Sequence, residues 1–406
     1  MQKTIMFSGY NCDPHDVSES YTAFVWLTIL LKQFKVILLA KQKAEASIIR
    51  YYNGKLPDNL TIIGFKDKYP FSNIRLVSDN LQLGYFFFNY RINAYLKKHP
   101  EVIDKCDIIF QKSPEAFRYF TSLVQFPKPV YIGPLGGGLK PTAALKGYFK
   151  REPFLFKLRN LDKLILCLPP YKRQFEKLAK VIVAIDYLDD ILPAAYLKRK
   201  EVLLNSAIYG EDYVQAVDDS GVVTIIYVGR LTRYKGAELL IKALNNIKNA
   251  NFLLHILGDG EEREYLEGLV NDFGLVDKIM IHGWKTSAEL KHYYGTASIF
   301  CLPTMTESLG VVFFEAMASG LPIVTINNGG PKYLCPDEGA IKIPITTEEG
   351  IINDLQQALA MLIDNPEKRG EMGAFNRKYC LENYDWKILE TRILGFFNRE
   401  INVHTK

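Results

Sequence analysis

Short apolar runs alternate with longer amphipathic stretches along the whole chain. In the first half, apolar runs at Thr4–Phe7, Lys35–Ala40, Asn59–Gly64, Asp107–Phe110, Pro129–Ile132 and Lys180–Ala184 predict strands. Such runs, with little polar alternation, are what strands buried on both faces look like. Between them, Glu19–Gln33, Gln82–Lys98 and Pro114–Val124 carry apolar residues at helical spacing. The second half repeats the pattern more cleanly. It predicts strands at Val222–Val228, Phe252–Leu257, Lys278–His282, Ala297–Leu302 and Pro322–Ile326. Its predicted helices are Gly236–Ile247, Glu261–Phe273, Ser287–Tyr294, Leu309–Ser319 and Gly350–Ile363.

Strand–helix alternation of this kind predicts a parallel sheet covered by helices. Its occurrence in both halves predicts an α/β chain of two Rossmann-like, doubly wound domains. The 406 residues suit this, since single cores rarely grow past about 250–300 residues. The boundary is expected between Ile191 and Gly221, where a Pro/Lys/Arg-rich stretch precedes the polar segment Tyr209–Ser220. We therefore expect a first domain over residues 1–200 and a second over 201–385. The last periodic segment starts at Pro366 and has no strand after it; its end, 386–406, is expected as a helix packing back on the first domain.

Hydrophobic residues at 48% and charged residues at 23% exclude a disordered chain. The six cysteines are scattered, without a CxxC pair, and are expected as buried free thiols in a reducing compartment. The amino terminus runs straight into a strand-like stretch, and the run from Phe24 to Leu31 is too short to span a bilayer. Together these predict a cytoplasmic location.

The net charge of +5 conceals an asymmetry. Residues 1–200 carry 31 Lys+Arg against 17 Asp+Glu, and residues 201–406 carry 19 against 28. The Lys140–Lys180 segment holds 11 basic and 3 acidic side chains, interleaved with Phe149, Phe154, Phe156, Leu158, Leu161 and Leu164. Such a field suits an anionic lipid surface, a phosphate-bearing substrate or nucleic acid, or it is a solvated face with no partner. No nucleic-acid-reading module accompanies it, so nucleic acid is not an expected partner. Basic side chains beside apolar ones suit the inner face of a cell membrane. The run Tyr85-Phe86-Phe87-Phe88 is expected in a buried helix instead.

Open α/β sheets bind ligands beyond the carboxyl ends of their strands, so the loops after the second-half strands come first. The first reads Gly229-Arg230-Leu231-Thr232-Arg233-Tyr234-Lys235-Gly236. A glycine permits close backbone approach, and cations at a helix start can clamp a diphosphate, Arg230 as a fork and Lys235 as a point charge. A basic turn without a ligand would look the same. Gly258-Asp259-Gly260 suits a tight turn near a ligand, or any turn. His282-Gly283-Trp284 suits contact with a base, or a satisfied histidine and a packed tryptophan.

The strongest element is Pro303 to Pro322. Glu307 lies in the loop, and Glu315 lies eight positions on, inside the helix the loop opens. Eight residues make about 2.2 turns and about 12 Å of axis, so the carboxylates share roughly one side. That separation is too long for a hydrolase acid/base pair. It fits one carboxylate on a sugar and one on the ribose of the same nucleotide sugar. Glu315 sits in an otherwise apolar helix, where an unpartnered charge is costly. The N–H groups of Ser308, Leu309, Gly310 and Val311 would face the diphosphate.

Taken together, these pieces resemble the donor domain of the retaining glycosyltransferases of family 4, which have the GT-B fold. The matching residues are Val228-Gly229-Arg230-Leu231 with Lys235-Gly236, Gly258-Asp259-Gly260, His282-Gly283, Glu307 with Glu315, Gly320-Leu321-Pro322-Ile323-Val324 and Gly329-Gly330. The resemblance implies two domains facing each other across a cleft. It also implies that Arg230 and Lys235 stabilise the departing diphosphate, Glu307 contacts sugar hydroxyls and Glu315 holds the ribose. In the first half, Gly136, Gly137 and Gly138 look like a glycine-rich loop of one branch of the family, and Glu19 occupies the first loop. Many members place a histidine after the strand matching Asp107–Phe110, but this chain reads Gln111-Lys112 there. Either Gln111 or Lys112 substitutes for it, or the sugar contacts differ.

The expected activity is transfer, with retention, of a hexose-type sugar from a UDP- or GDP-sugar to a hydroxyl, on a lipid-linked saccharide of surface-polysaccharide synthesis. A soluble acceptor, a sugar-nucleotide epimerase and a non-catalytic nucleotide-sugar binder are the rivals. No cofactor is expected beyond the nucleotide sugar as co-substrate. No metal site is expected either, since the chain has no Asp-x-Asp.

Overall fold

The computed structural model describes residues 2–68, 83–139, 148, 166, 168–216 and 221–404. The chain divides into two compact units. One holds the described residues up to Gly138, those of 166–205 and those of 390–404; the other holds Leu139, Tyr148 and the described residues of 206–389.

The apolar runs of the first unit become strands because their side chains are hidden on both faces. They are β1 (Thr4–Gly9), β2 (Lys35–Lys41), β3 (Leu60–Phe65), β4 (Ile108–Ser113), β5 (Val130–Leu135), β6 (Lys180–Val183) and β7 (Lys200–Val202). They pair in parallel in the order β3-β2-β1-β4-β5-β6-β7. Ile5 sits between Val36 on one side and Ile108 on the other, all three buried. The helix Glu19–Leu31 follows β1 and hides Phe24, Val25, Trp26, Leu27, Ile29 and Leu30.

The second unit builds a parallel sheet from β8 (Val223–Val228), β9 (Phe252–Leu257), β10 (Ile279–Ile281), β11 (Ile299–Leu302), β12 (Ile323–Ile326) and β13 (Ala340–Ile343). Its order is β10-β9-β8-β11-β12-β13. In each sheet the winding direction reverses once, between β1 and β4 and between β8 and β11. Those reversals are where a doubly wound sheet opens a ligand crevice.

The helix Trp386–His404 runs from the second unit into the first. In the first unit Phe397 packs 4.9 Å from the Phe110 ring and Phe396 lies edge-on to Tyr131 at 5.8 Å. Lys32 pairs with Glu390 at 2.6 Å, and the buried Tyr131 hydroxyl donates to Glu400 at 3.1 Å.

The helix expected over Pro114–Val124 does not form; only a short 3-10 turn, Leu123–Gln125, appears near its end. The polar groups of this stretch go to distant partners. The Glu115 N–H donates to Glu19, and its carbonyl accepts from Gly136 N. A segment committed to such bonds, with Phe117 driven into the core, cannot also close i to i−4 bonds. The Tyr85–Phe88 run lies in the helix Leu83–Lys98, with Tyr85 and Phe88 buried and Phe86 partly exposed. Phe149, Phe154, Phe156, Leu158, Leu161 and Leu164 lie outside the described residues, as does most of the Lys140–Lys180 segment. The described cysteines are free and buried. Among the described residues no helix is long and apolar enough to cross a membrane.

Candidate functional site

The loop after β8 turns on Gly236, whose φ of +72° is left-handed. A Cβ there would strike the Pro303 carbonyl, so only glycine serves. The tight turn Arg233–Lys235 before the helix Ala237–Asn245 aims Lys235 at Glu307, with which it forms an ion pair. Arg230 is exposed and makes no ion pair among the described residues. Arg233 is committed elsewhere: it pairs with Glu238 at 3.1 Å and Glu262 at 3.4 Å and stacks 4.4 Å from the Tyr148 ring centroid. Arg230 is thus the cation of this loop left without an ion-pair partner among the described residues, while Lys235 is held against Glu307.

Beyond β11 the chain passes through Glu307 and enters the helix Val311–Ala318 at Gly310, again left-handed at φ +76°. The loop is anchored through its backbone: Gly330 N donates to the Glu307 carbonyl at 2.7 Å, and Asn328 Nδ2 to the Met305 carbonyl at 2.7 Å. The N–H groups of Ser308, Leu309, Gly310 and Val311 donate to no acceptor among the described residues. A helix start with free donors attracts an anion.

Glu315 is not an isolated charge. Its Oε1 accepts from the Tyr213 hydroxyl at 3.1 Å and its Oε2 from the Tyr294 hydroxyl at 2.9 Å. Burial raises this carboxyl above its usual range, against the lowering effect of the two hydroxyls and of Lys291. Both tyrosines escaped the sequence reading. Tyr213 precedes β8 and Tyr294 lies in the helix Ser287–Thr296, so no spacing links them to Glu315. The one available signal was that a carboxylate in an apolar helix demands partners.

Gly258 N donates to the Gly283 carbonyl at 2.9 Å, and a Cβ on Gly258, at φ +151°, would strike the Gly229 carbonyl. Leu231 N bonds the Asp259 carbonyl at 2.9 Å. The loops bearing Gly229, Gly258–Gly260 and Gly283 are therefore laced together by their backbones. Asp259 is exposed; it caps Gly260 N at 2.8 Å and pairs with Arg263 at 3.3 Å. His282 Nε2 lies 2.8 Å from His255 Nδ1, and burial lowers both imidazole pKa values. Trp284 is 74% exposed, an aromatic face open to a base or to solvent.

In the first unit, Glu19 begins its helix and accepts from Glu115 N at 3.2 Å. Burial, reinforced by the Glu115 charge, pushes its carboxyl up to about 7. Gln111 is buried and accepts from the Tyr85 hydroxyl at 3.1 Å. Lys112 is fully buried, donating to Glu115 at 2.6 Å and Asn205 at 2.7 Å, while Asn205 Nδ2 donates to Glu115 at 2.8 Å. Its charge is thus neutralised inside the protein. Gly136 N donates to the Glu115 carbonyl and Gly137 N to the Tyr187 hydroxyl, both at 2.9 Å, and Gly138 turns at φ +79°. Among the described residues no cluster of three metal-ligating side chains occurs.

Two parallel α/β units, each with its loops gathered at a strand-order reversal, make this a GT-B fold. Residues 214–379 match the family described as glycosyl transferases group 1. The chain is 36% identical over 170 residues to an uncharacterized glycosyltransferase of Haemophilus influenzae, covering 41% of this chain and 47% of that protein. It is 28% identical over 198 residues to the lipopolysaccharide core biosynthesis glycosyltransferase LpsE of Rhizobium meliloti, covering 46% and 57%. The chain spans about half the length of these curated relatives. The sucrose-phosphate synthase of Thermosynechococcus elongatus superposes with a TM-score of 0.65 at 18% identity, over 99% of this chain and 100% of that one.

Proposed function

We propose that this chain is a retaining glycosyltransferase that moves a hexose-type sugar from a UDP- or GDP-sugar to a hydroxyl acceptor. The observation that carries the reading is the Lys235–Glu307 pair, joined from the loop that also holds the exposed Arg230 and the loop whose N–H groups from Ser308 to Val311 donate to no acceptor among the described residues. These groups receive the diphosphate, whose negative charge grows as it leaves. Glu307 contacts the sugar hydroxyls and Glu315 accepts from the ribose hydroxyls. The bond from the anomeric carbon to the diphosphate breaks while the acceptor oxygen bonds that carbon on the same face. A departing phosphate oxygen takes the acceptor's proton, so the reaction needs no protein base. Preorganised cations and N–H donors supply the rate. The match of residues 214–379 to glycosyl transferases supports donor binding by the second unit.

The acceptor side rests on the basic first half and on the kind of relative the chain has, LpsE being named for lipopolysaccharide core synthesis. We assign a lipid-linked saccharide as acceptor and a peripheral place on the inner face of the cell membrane. A hydrolysis screen over UDP-, GDP- and ADP-sugars tests the donor reading, with product anomers read by NMR. Release of the sugar from one nucleotide with retained configuration is expected. Isomerisation of the donor without transfer, or binding without turnover, overturns it. Activity is expected to survive EDTA; loss with EDTA and full recovery on adding a divalent ion overturns metal independence. Co-sedimentation with anionic liposomes at low salt tests the membrane assignment, and binding indifferent to lipid charge removes it.

A further inference from the structure

An ionised carboxylate offers about four acceptor positions, two on each oxygen. On Glu315 one position of Oε1 takes the Tyr213 hydroxyl at 3.1 Å, and one of Oε2 takes the Tyr294 hydroxyl at 2.9 Å. Each oxygen keeps a position open, and the residue is only half-buried, so a ligand can reach it. Two open positions side by side match the two hydroxyls of a cis-diol. The terminal torsion of a glutamate is otherwise broad and two-fold. A carboxylate gripped at both oxygens cannot turn freely about it.

The two tyrosines are held in different ways. Tyr294 is fully buried on the helix Ser287–Thr296. Tyr213 follows the short turn Gly210–Asp212 in irregular chain and needs an anchor. Arg377, on the helix Pro366–Asn383, supplies it: its Nη1 donates to the Tyr213 carbonyl at 3.0 Å and also to the Ala318 carbonyl. Ala318 ends the helix that carries Glu315. One guanidinium therefore ties the chain bearing the hydroxyl to the helix bearing the carboxylate that receives it. Ala216 N adds a second tie between the same pieces, donating to the Ser319 carbonyl at 2.8 Å. On the other side Asp212 pairs with Lys291 of the Tyr294 helix at 2.9 Å. All of these residues belong to the second unit.

We infer that Tyr213, anchored by Arg377, is a positioning residue that fixes the Glu315 carboxylate to accept both hydroxyls of a ribose cis-diol and so makes the site discriminate against 2′-deoxyribose. The inference rests on the reading of Glu315 as the residue that holds the ribose. A deoxy ligand brings one donor to two open positions, and an acceptor stripped of water without a partner carries its full desolvation cost. A carboxylate free to turn would re-aim at the one hydroxyl left and lose the distinction. Tyr213 and Glu315 lie 102 residues apart, so the fold alone brings them together.

Calorimetry on the full chain tests this with UDP and GDP, each against its 2′-deoxy counterpart. With the nucleotide it prefers, the wild type is expected to bind the ribose form about tenfold or more tighter, the scale of one hydrogen bond to a charged group. Tyr213→Phe keeps the ring and should cut that preference to about threefold or less, the weak end of a hydrogen bond's worth. Arg377→Ala should do the same, and Arg377→Lys should recover part of the preference, because an ammonium keeps the charge but not the fork. A variant damaged only in its fold loses affinity for both forms alike and keeps the ratio. The wild-type ratio in Tyr213→Phe or in Arg377→Ala overturns the inference and leaves Glu315 as the ribose residue. Equal binding of both forms by the wild type removes the ribose reading of Glu315, and the inference with it. Binding of neither nucleotide by the wild type overturns the donor reading and takes the inference down too.

Discussion

The pair of tyrosines on Glu315 yields a prediction that reaches beyond activity. Tyr294 is fully buried, and its hydroxyl donates to the Glu315 carboxylate at 2.9 Å. Replacing it with phenylalanine removes the donor and leaves an ionised oxygen with less compensation in a crowded site. A hydrogen bond to a charged group contributes about 1.5–3 kcal/mol, so Tyr294→Phe should lower stability by about 2 kcal/mol at pH 8. That is a change of about 30-fold in the unfolding equilibrium. The pH dependence carries the sign. Burial raises the folded pKa of Glu315 above its unfolded value, so ionising it costs stability as pH rises through the folded pKa. Below that pKa the acid is protonated and the missing donor matters less. The loss in Tyr294→Phe should therefore be larger at pH 8 than at pH 5, and should shrink in a Glu315→Gln background. Urea unfolding of the four proteins at both pH values measures this. A loss equal at both pH values, or unchanged by Glu315→Gln, refutes the charge-based reasoning and leaves only a packing defect.

Removing Arg230 and Lys235 together should cut turnover by about 100-fold or more while affinity for the nucleotide falls less, because charge on the leaving group peaks late. Initial rates and calorimetry decide it, and full activity in the double variant ends the proposal. Glu315→Ala should lose nucleotide-sugar affinity and Glu307→Ala turnover; equal, small effects from both would sink the assignment. Glu19→Gln should gain stability over the wild type as pH rises from about 5 to 8. The folded carboxyl titrates near about 7 against an unfolded value of 4.5, so ionisation costs up to about 3 kcal/mol. Parallel pH curves from thermal melts would show that Glu19 is not strained by its burial.

The two sheets were legible because their strands are continuous apolar runs, which the pattern of the chain exposes directly. β7 and β13 went unassigned because charged residues, Lys200 and Glu201 in one and Lys342 in the other, break the apolar run. Pro114–Val124 misled because its apolar residues do fall at helical spacing while its polar backbone is satisfied at long range, by Glu19 and Gly136. The donor-side cations were readable as types but not as individuals: nothing in the sequence says that Arg233 is spent on Glu238 and Glu262. Lys112 teaches the same lesson more sharply. It looked like a ligand-facing cation, and its partners Glu115 and Asn205 come from positions 3 and 93 residues away.

The helix that ends the described chain has a bearing on how the molecule is made. The first unit is discontinuous: its β1–β7 sheet is made before the second unit, yet Phe396 and Phe397, which cover Tyr131 and Phe110, are translated after it. Domains ordinarily fold as they appear, amino-terminal first. Here the carboxyl-terminal unit can finish most of its own core while the earlier-made sheet still lacks part of its cover. Nascent chains stalled before residue 390 should thus present Phe110 and Tyr131 to chaperones, and synthesis itself, not only sequence, decides which half matures first.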